Sequence, residues 1–194
     1  MHAVLRVLEE VGRLRRREIY AAVRRALVAR GVTGAGEGAF RVVHVSIQHN
    51  HVHLLLEAGS KAALSSGMRV LTIAIARAIN LSLGRTGKVF ACRYHATAIT
   101  TPTQARHALA YVLNNWRRHR EDVRTPGAEN ALLDPYSTSI HFHGWRGHGR
   151  FTLPRGYEPL PSAEPSTWLL RVGWERAGAA LDVRAVPGPL HGAT

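Results

Sequence analysis

The alternation of apolar and polar residues along the first hundred positions predicts four strands. Two neighbouring segments, residues 40–48 and 51–57, alternate at every second position and predict two consecutive strands joined by a tight corner. Residues 3–8 alternate more loosely and predict a first strand. Residues 89–100 are rich in β-branched and aromatic side chains and predict a last one.

Three segments repeat apolar residues at the spacing of an α-helix, and these are 13–29, 60–83 and 102–119. Ser60 is suited to cap the second helix, and Pro102 is suited to the first position of the third. A fourth, shorter helix is predicted over residues 166–180, with Ser166 as its cap.

The order of these elements predicts the fold. A β-α-β-β-α-β order followed by a helix is typical of an α+β, ferredoxin-like split βαβ antiparallel sheet, with its first two helices on one face. Residues 1–120 are expected to form this domain, with the third helix across the bare face of the sheet. Residues 121–194 are interrupted by proline and glycine and are expected to be an extension packed on it.

The charge of the chain predicts an anionic partner. Lys and Arg number 26 against 13 Asp and Glu, which gives a formal net charge of +13. Nucleic acid is the commonest partner of such a basic protein. The densest clusters, expected to contact DNA phosphates unless they are only solvated helix faces, are Arg13, Arg15, Arg16, Arg17, Arg117, Arg118 and Arg120.

The cysteine count and the lack of long apolar segments predict the cellular compartment of the protein. Cys92 is the single cysteine, which excludes a disulfide and a cysteine-rich zinc site. No secretory signal is visible, and no apolar run approaches the roughly 20 residues that cross a bilayer. We therefore expect a cytoplasmic, nucleoid-associated protein with no membrane partner.

Two histidines on the third predicted strand form a candidate metal site. His51 and His53 are two residues apart, so their side chains point to the same face, opposite the aliphatic Val52, Leu54 and Leu56. Two neutral imidazoles side by side on a rigid strand can share one divalent metal ion. The alternative is a pair of ordinary histidines on a half-exposed sheet.

The third helix supplies a candidate partner for these histidines. Tyr111 lies opposite the apolar stripe of this helix, and Asn115 follows one turn later. If the helix crosses the bare face of the sheet, Tyr111 approaches His51 and His53. The Asn115 amide oxygen, phosphate oxygens and water could then complete the coordination of Mg²⁺ or Mn²⁺. Alternatively, Tyr111 only covers the sheet and anchors its hydroxyl by a hydrogen bond.

Residues 48–57, 87–95 and 107–115 together resemble the HUH-type single-tyrosine transposases, and most of all the REP-associated tyrosine transposases. The motifs are QHNHVHLLLE, GKVF leading to RYH, and HALAYVLNN. The resemblance implies a ferredoxin-like fold, His51 and His53 as metal ligands, Tyr111 as nucleophile and Asn115 as a third, polar ligand. It also implies a monomer or a homodimer.

The activity implied by this resemblance is cleavage and rejoining of single-stranded DNA near palindromic hairpins. Attack by the tyrosine gives a 5′-phosphotyrosine link and a 3′-hydroxyl, and the retained bond energy lets the strand be rejoined without ATP. The first alternative is a catalytically silent descendant that regulates by binding hairpin DNA. The second is an RNA-binding module, which would carry exposed aromatic residues on its central strands.

Two other features compete with these site residues. His141 and His143 form a second His-x-His, but they lie among glycines with no aliphatic strand after them. Tyr94 is a rival nucleophile, but it belongs to a predicted strand. We therefore favour His51, His53 and Tyr111.

Overall fold

A four-stranded antiparallel sheet is the centre of the protein. The structure is a computed structural model that describes residues 1–30, 40–124, 131–147, 151 and 155–188. The strands are β1 (His2–Arg6), β2 (Arg41–Ile47), β3 (His51–Glu57) and β4 (His95–Thr97), in the order β2-β3-β1-β4. The predicted α+β, ferredoxin-like fold is confirmed.

Two helices cover one face of the sheet. They are α1 (Arg17–Arg30) and α2 (Lys61–Ser82), which pack against each other. Ser60 caps α2 as predicted, because its hydroxyl accepts a hydrogen bond from the Ala63 amide at 3.0 Å. The core beneath them includes Leu5, Ile19, Val23, Leu27, Val52, Leu54, Leu56, Met68, Ile75 and Ile79.

The third helix, α3 (Pro102–Arg118), packs on β2 and β3 from the other face. Thr101 and Gln104 form a reciprocal capping box at its start, which fixes where the helix begins. A second core lies here and joins the sheet and α3 to the extension, through Val43, Leu55, Leu109, Val112, Leu113, Phe142, Trp145, Leu170, Trp174 and Leu181. The division at residue 120 stays a prediction.

The long helix α2 bears on the expectation that no apolar segment is long enough to cross a bilayer. By length and composition it could cross a membrane, since it has 22 residues and an 18-residue window of mean hydropathy 1.4. This is weak evidence, because a core helix of a soluble domain meets the same criteria. Met68, Ile75 and Ile79 are buried in the core, and 22% of that window is buried in all.

The last strand is shorter than predicted. Phe90 forms an isolated bridge with Val7, and regular pairing begins only where His95 faces Val4. Val7 and Val4 are three residues apart, whereas Phe90 and His95 are five apart, so the opposing chain has two additional residues. The two additional residues must bend away from the sheet, which leaves β4 with three residues.

The first predicted helix begins four residues later than expected. The amide of Leu14 donates to the carbonyl of His49 at 2.7 Å, and the Arg15 side chain turns inward. Both contacts hold residues 13–16 outside helical geometry, so α1 begins at Arg17.

The last predicted helix is also different, because Ser166 is not its cap. The Ser166 hydroxyl donates to Glu57 at 2.6 Å, and the Thr167 hydroxyl donates to the other oxygen of the same carboxylate, also at 2.6 Å. The helix α5 (Trp168–Arg171) therefore begins after them and is followed by the 3₁₀ turn Gly173–Ala177. A short α4 (Glu121–Arg124) follows α3.

Candidate active site

Two imidazoles of β3 lie together on the face of the sheet that α3 covers. The Nε2 atoms of His51 and His53 are 2.9 Å apart, and the rings are nearly perpendicular, with centroids 4.5 Å apart. His53 is buried, and His51 is partly exposed. The alternation of the strand thus places both side chains as predicted.

The other ring nitrogen of each histidine has its own partner. His51 Nδ1 lies 2.8 Å from Asn50 Oδ1, and because a carbonyl oxygen only accepts, this nitrogen carries the proton. His53 Nδ1 lies 3.0 Å from Nε2 of His2, on the neighbouring strand β1. The neutral His51 ring therefore presents an unprotonated Nε2 towards His53.

Burial keeps these rings uncharged at neutral pH. Burial, and then the nearby His119 and Arg6, lower the pKa of His51 to about 4. Burial, followed by His51 and His2, lowers the pKa of His53 well below its usual value. The pKa of His2 falls to about 4, again mainly through burial. Neutral imidazole is the form that binds metal ions.

Tyr111 reaches the same place from α3. Its ring meets the His53 ring edge-on, with centroids 5.2 Å apart and planes at 82°. Asn115, one turn later, points its Nδ2 at His53 Nε2 at 2.9 Å. Tyr111 is half-buried and does not lie in the hydrophobic core, so the four predicted site residues converge over one side of the sheet.

The Tyr111 phenol is protonated at neutral pH. Burial raises its pKa, while the Arg118 guanidinium and a hydrogen bond from Asn115 act in the opposite direction. A phenol with a raised pKa is a weak nucleophile until its proton is removed or positive charge approaches its oxygen.

A comparison with known protein families identifies the family of this chain. A family model described as "Transposase IS200 like" matches residues 11–115, more than half of the chain. The chain belongs to this IS200-like transposase family. The matched residues end at Asn115 and include His51, His53 and Tyr111. The resemblance to single-tyrosine transposases is thereby confirmed.

One solved structure supports the fold of this IS200-like transposase. It is described as a REP-associated tyrosine transposase bound to a REP hairpin, and it matches with a TM-score of 0.50 over 86% of each chain. Sequence identity is 16%, so this likeness concerns the fold alone. No curated protein matches the chain.

The donor atoms of the site fit a divalent cation. Asn115 Oδ1 is buried and has no hydrogen-bond partner among the described residues, and rotation of the amide would exchange it with Nδ2 beside the two histidines. Two cis ligands of an octahedral ion at about 2.1 Å are roughly 3 Å apart, close to the separation of the two Nε2 atoms. Within the described ranges, no group of three or more His, Cys, Asp or Glu is arranged to hold a metal ion, so an ion here would depend on two histidines and an amide.

Two of the seven predicted DNA-contacting arginines have structural roles instead. The Arg15 side chain is 0% exposed and binds Asp134 through two hydrogen bonds, of 2.8 and 3.1 Å. Arg117 donates to the carbonyls of Val183 and Leu132 and lies over the Trp116 ring. The guanidinium of Arg15 is not available to DNA, and that of Arg117 is already engaged by the extension.

The other five arginines lie at or near the surface. Arg13 is partly exposed and pairs with Glu121 at 2.7 Å, and Arg16 pairs with Glu18 at 3.3 Å. The exposed residues are Arg17, Arg118 and Arg120. Arg118 is the last residue of α3, the helix that carries Tyr111, and its charge lowers the pKa of Tyr111.

Three residues of the site face were missed from the sequence. His2 bonds His53, while Arg6 and His95 are exposed on the half of this face that α3 leaves open. The register shows their placement, because Arg6 pairs with His51, and His95 pairs with Val4. The predicted fold makes β1 a neighbour of β3, but the sequence alone does not give the register that brings these residues to the site.

The competing residues lie elsewhere or have other partners. His141 is hydrogen-bonded to the Leu160 carbonyl at 3.0 Å, and His143 is exposed. Tyr94 packs against the core on the side of α1 and α2.

In the part of the extension that is described, Trp145 and Trp174 are buried, so they are not available to stack on bases, whereas Trp168 is 47% exposed.

Proposed function

We propose that this IS200-like transposase cleaves and rejoins single-stranded DNA through a covalent bond between Tyr111 and a 5′ phosphate. The substrate would be a hairpin (palindromic) element, with a divalent cation, Mg²⁺ or Mn²⁺, at His51 and His53. The observation that carries the proposal is the edge-on contact between Tyr111 and His53, with Asn115 against the same ring. The proposed nucleophile and the two nitrogens proposed to bind the cation thus lie together within one chain.

The reaction exchanges one phosphodiester bond for another. The Tyr111 oxygen attacks phosphorus and loses its proton, the bond from phosphorus to the 3′ oxygen breaks, and that oxygen takes up a proton. Asn115 and Arg118 are placed to stabilise negative charge on the phenol oxygen, since both favour its ionised form. Attack by a 3′-hydroxyl on the tyrosyl phosphate reverses these steps and rejoins the strand.

A cation in this site would be held by Nε2 of His51, Nε2 of His53 and Oδ1 of Asn115. When bound, it would offset charge on the phosphate and on the leaving oxygen. These three donors are neutral, so the protein adds no negative charge to the site. We therefore expect modest affinity for the cation alone and tighter binding when a DNA phosphate is present.

The open half of the face supports a position for the DNA strand. The helix α3 covers β2 and β3, whereas Arg6, His95 and Thr97 of β1 and β4 are exposed beside the histidine pair. Arginine binds phosphate, and imidazole can stack on a base. A strand laid over β1 and β4 would present its phosphate to Tyr111.

The direct test is a covalent adduct. The protein is incubated with Mn²⁺ and a 5′-labelled or 3′-labelled single-stranded oligonucleotide that carries a hairpin, and denaturing gels are examined for labelled protein. We expect an adduct only with the 3′ label, because the tyrosine retains the 5′ phosphate of the downstream fragment. Tyr111→Phe should abolish the adduct, whereas Tyr94→Phe should retain it.

The outcomes separate the candidate functions. Lack of any adduct across varied hairpins, with hairpin binding intact, would favour a catalytically silent regulator. An adduct that forms equally well on unstructured single strands would contradict the preference for hairpins. An adduct that survives Tyr111→Phe would exclude Tyr111 as the nucleophile.

A further inference from the structure

A third histidine lies behind the proposed metal-binding pair. His2 is 7% exposed, and its ring stacks on that of His53, with centroids 5.1 Å apart and planes at 26°. Its Nε2 is 3.0 Å from His53 Nδ1, on the side of the His53 ring away from His51. The Tyr111 ring lies edge-on to His2, with centroids 6.2 Å apart.

Nothing in the family match assigns a role to this residue. The match covers residues 11–115, and His2 lies outside it. The residue is not part of the His-x-His motif either. It reaches the site only because β1 pairs with β3, where His2 faces Leu55 and Val4 faces His53.

The position of the single proton on His53 decides whether this ring can bind a cation. A neutral imidazole carries one proton, and a proton on Nε2 would block the nitrogen that faces the site. For His53 to hold a cation through Nε2, that nitrogen must be unprotonated, as is the Nε2 of His51, which lies 2.9 Å away. The proton is then on Nδ1 and points at His2 Nε2.

The same arrangement occurs at His51, where Asn50 Oδ1 accepts the Nδ1 proton. Each histidine of the pair therefore has an acceptor behind it, supplied by Asn50 for one and by His2 for the other. Such outer partners fix the tautomer and the orientation of metal-binding histidines, and their loss typically costs 10–100-fold in metal affinity.

We propose that His2 is a positioning residue that accepts the Nδ1 proton of His53 and so directs the unprotonated Nε2 into the site. The proposal rests on the proposed function, because it assumes that His53 binds the cation. It adds a residue that the family match does not include. It also predicts a property of the metal-free protein, namely the tautomer of His53.

The first test needs no metal and no DNA. Long-range ¹H–¹⁵N correlation spectra of the imidazole groups, at neutral pH, report which ring nitrogen of each histidine is protonated. We expect His53 to be protonated on Nδ1 in the wild type and to become a tautomer mixture in His2→Phe, which keeps a ring but removes the acceptor. A wild-type His53 protonated on Nε2 would overturn the proposal, even if no variant folds.

The second test measures Mn²⁺ affinity by electron paramagnetic resonance of the unbound ion, on protein without a histidine tag. His2→Phe should raise the Kd about 10- to 100-fold. His2→Gln should restore most of the affinity, because its amide oxygen can accept the same hydrogen bond. His143→Gln removes an exposed histidine of the extension and should leave the Kd unchanged.

The two tests distinguish failure of this inference from failure of the proposed function. If Mn²⁺ binding does not depend on His53, as judged by His53→Ala, the proposed metal site is wrong. If binding depends on His53 but His2→Phe leaves both the Kd and the tautomer unchanged, only the role of His2 is wrong. Equal losses in His2→Phe and His2→Gln, with unchanged thermal unfolding, would also contradict the hydrogen-bond mechanism.

Discussion

At the scale of single residues, the first property to test is that the three proposed metal ligands, His51, His53 and Asn115, are all uncharged. Asn115→Asp replaces the amide by a carboxylate at the same position. Because hard divalent cations prefer charged oxygen ligands, we expect the Mn²⁺ Kd to fall by about tenfold. The rise in unfolding temperature on addition of Mn²⁺ should grow accordingly.

The same variant should separate metal binding from catalysis. Asn115→Asp removes an N–H that favours the ionised Tyr111 oxygen and adds negative charge beside it. We expect slower adduct formation despite tighter metal binding. Weaker Mn²⁺ binding than in the wild type would show that Asn115 does not contribute to the site.

A second residue-scale prediction concerns His44 and pH. Burial, with smaller effects from His141 and His143, lowers the pKa of His44 to about 3, while the unfolded chain has a pKa near 6.5. The unfolded state therefore binds a proton first as pH falls, and the native state loses stability between about pH 6.5 and 3. From pH 6.5 to 5 this amounts to about 2 kcal/mol.

This contribution can be measured by urea unfolding. The His44→Gln variant keeps a side chain that can bond Thr138 but does not titrate. It should lose about 2 kcal/mol less than the wild type between pH 6.5 and 5. His143→Gln serves as the control, because this histidine is exposed. Identical pH profiles for His44→Gln and the wild type would show that His44 does not remain neutral in the native protein.

At the scale of elements, a buried ion pair ties the start of the first helix to the extension. Arg15 and Asp134 both have side chains that are 0% exposed, and Arg15 also donates to the Ile47 carbonyl. Asp134→Ala removes two hydrogen bonds from a buried guanidinium that keeps Glu121 at 3.5 Å, so we expect a loss of about 3 kcal/mol in the free energy of unfolding.

A matched surface pair provides the control for this prediction. Arg16 and Glu18 lie 3.3 Å apart with side chains 41% and 49% exposed, and Glu18→Ala should cost less than about 1 kcal/mol. Chemical denaturation of both variants measures the difference. Equal effects would mean that the extension does not depend on the buried pair.

The elements also show which features a sequence can predict. The strands β2 and β3 and the helices α2 and α3 each carry a continuous apolar stripe, and that local signal placed His51, His53 and Tyr111 correctly on their faces. The burial of Arg15 had no local signal, because its partner Asp134 is 119 residues away. Ser166 is a residue type that often caps helices, but its hydroxyl instead donates a hydrogen bond to Glu57, which lies 109 residues earlier. His2 was missed for the same reason, since its role depends on strand pairing.

At the scale of the whole molecule, the charge of +13 predicts salt-dependent DNA binding, and we expect only some arginines to contribute to it. Arg6 lies on the open half of the site face, and Arg118 lies on the tyrosine helix. If each contacts a phosphate, its replacement by alanine should weaken hairpin binding and reduce the slope of log Kd against log salt concentration by about one. Binding is measured in EDTA on a Tyr111→Phe background, so that neither metal nor covalent capture contributes.

The control for this experiment has the same change in charge on the opposite side of the molecule. Arg69 is exposed on α2, which covers the other face of the sheet, so Arg69→Ala should leave the slope nearly unchanged. The comparison separates a local phosphate contact from the general attraction of a basic protein, since all three variants lower the net charge equally. Equal small effects in all three would mean that the DNA does not lie over β1 and β4. An effect of Arg6→Ala but not of Arg118→Ala would place the strand over those two strands and away from the end of α3.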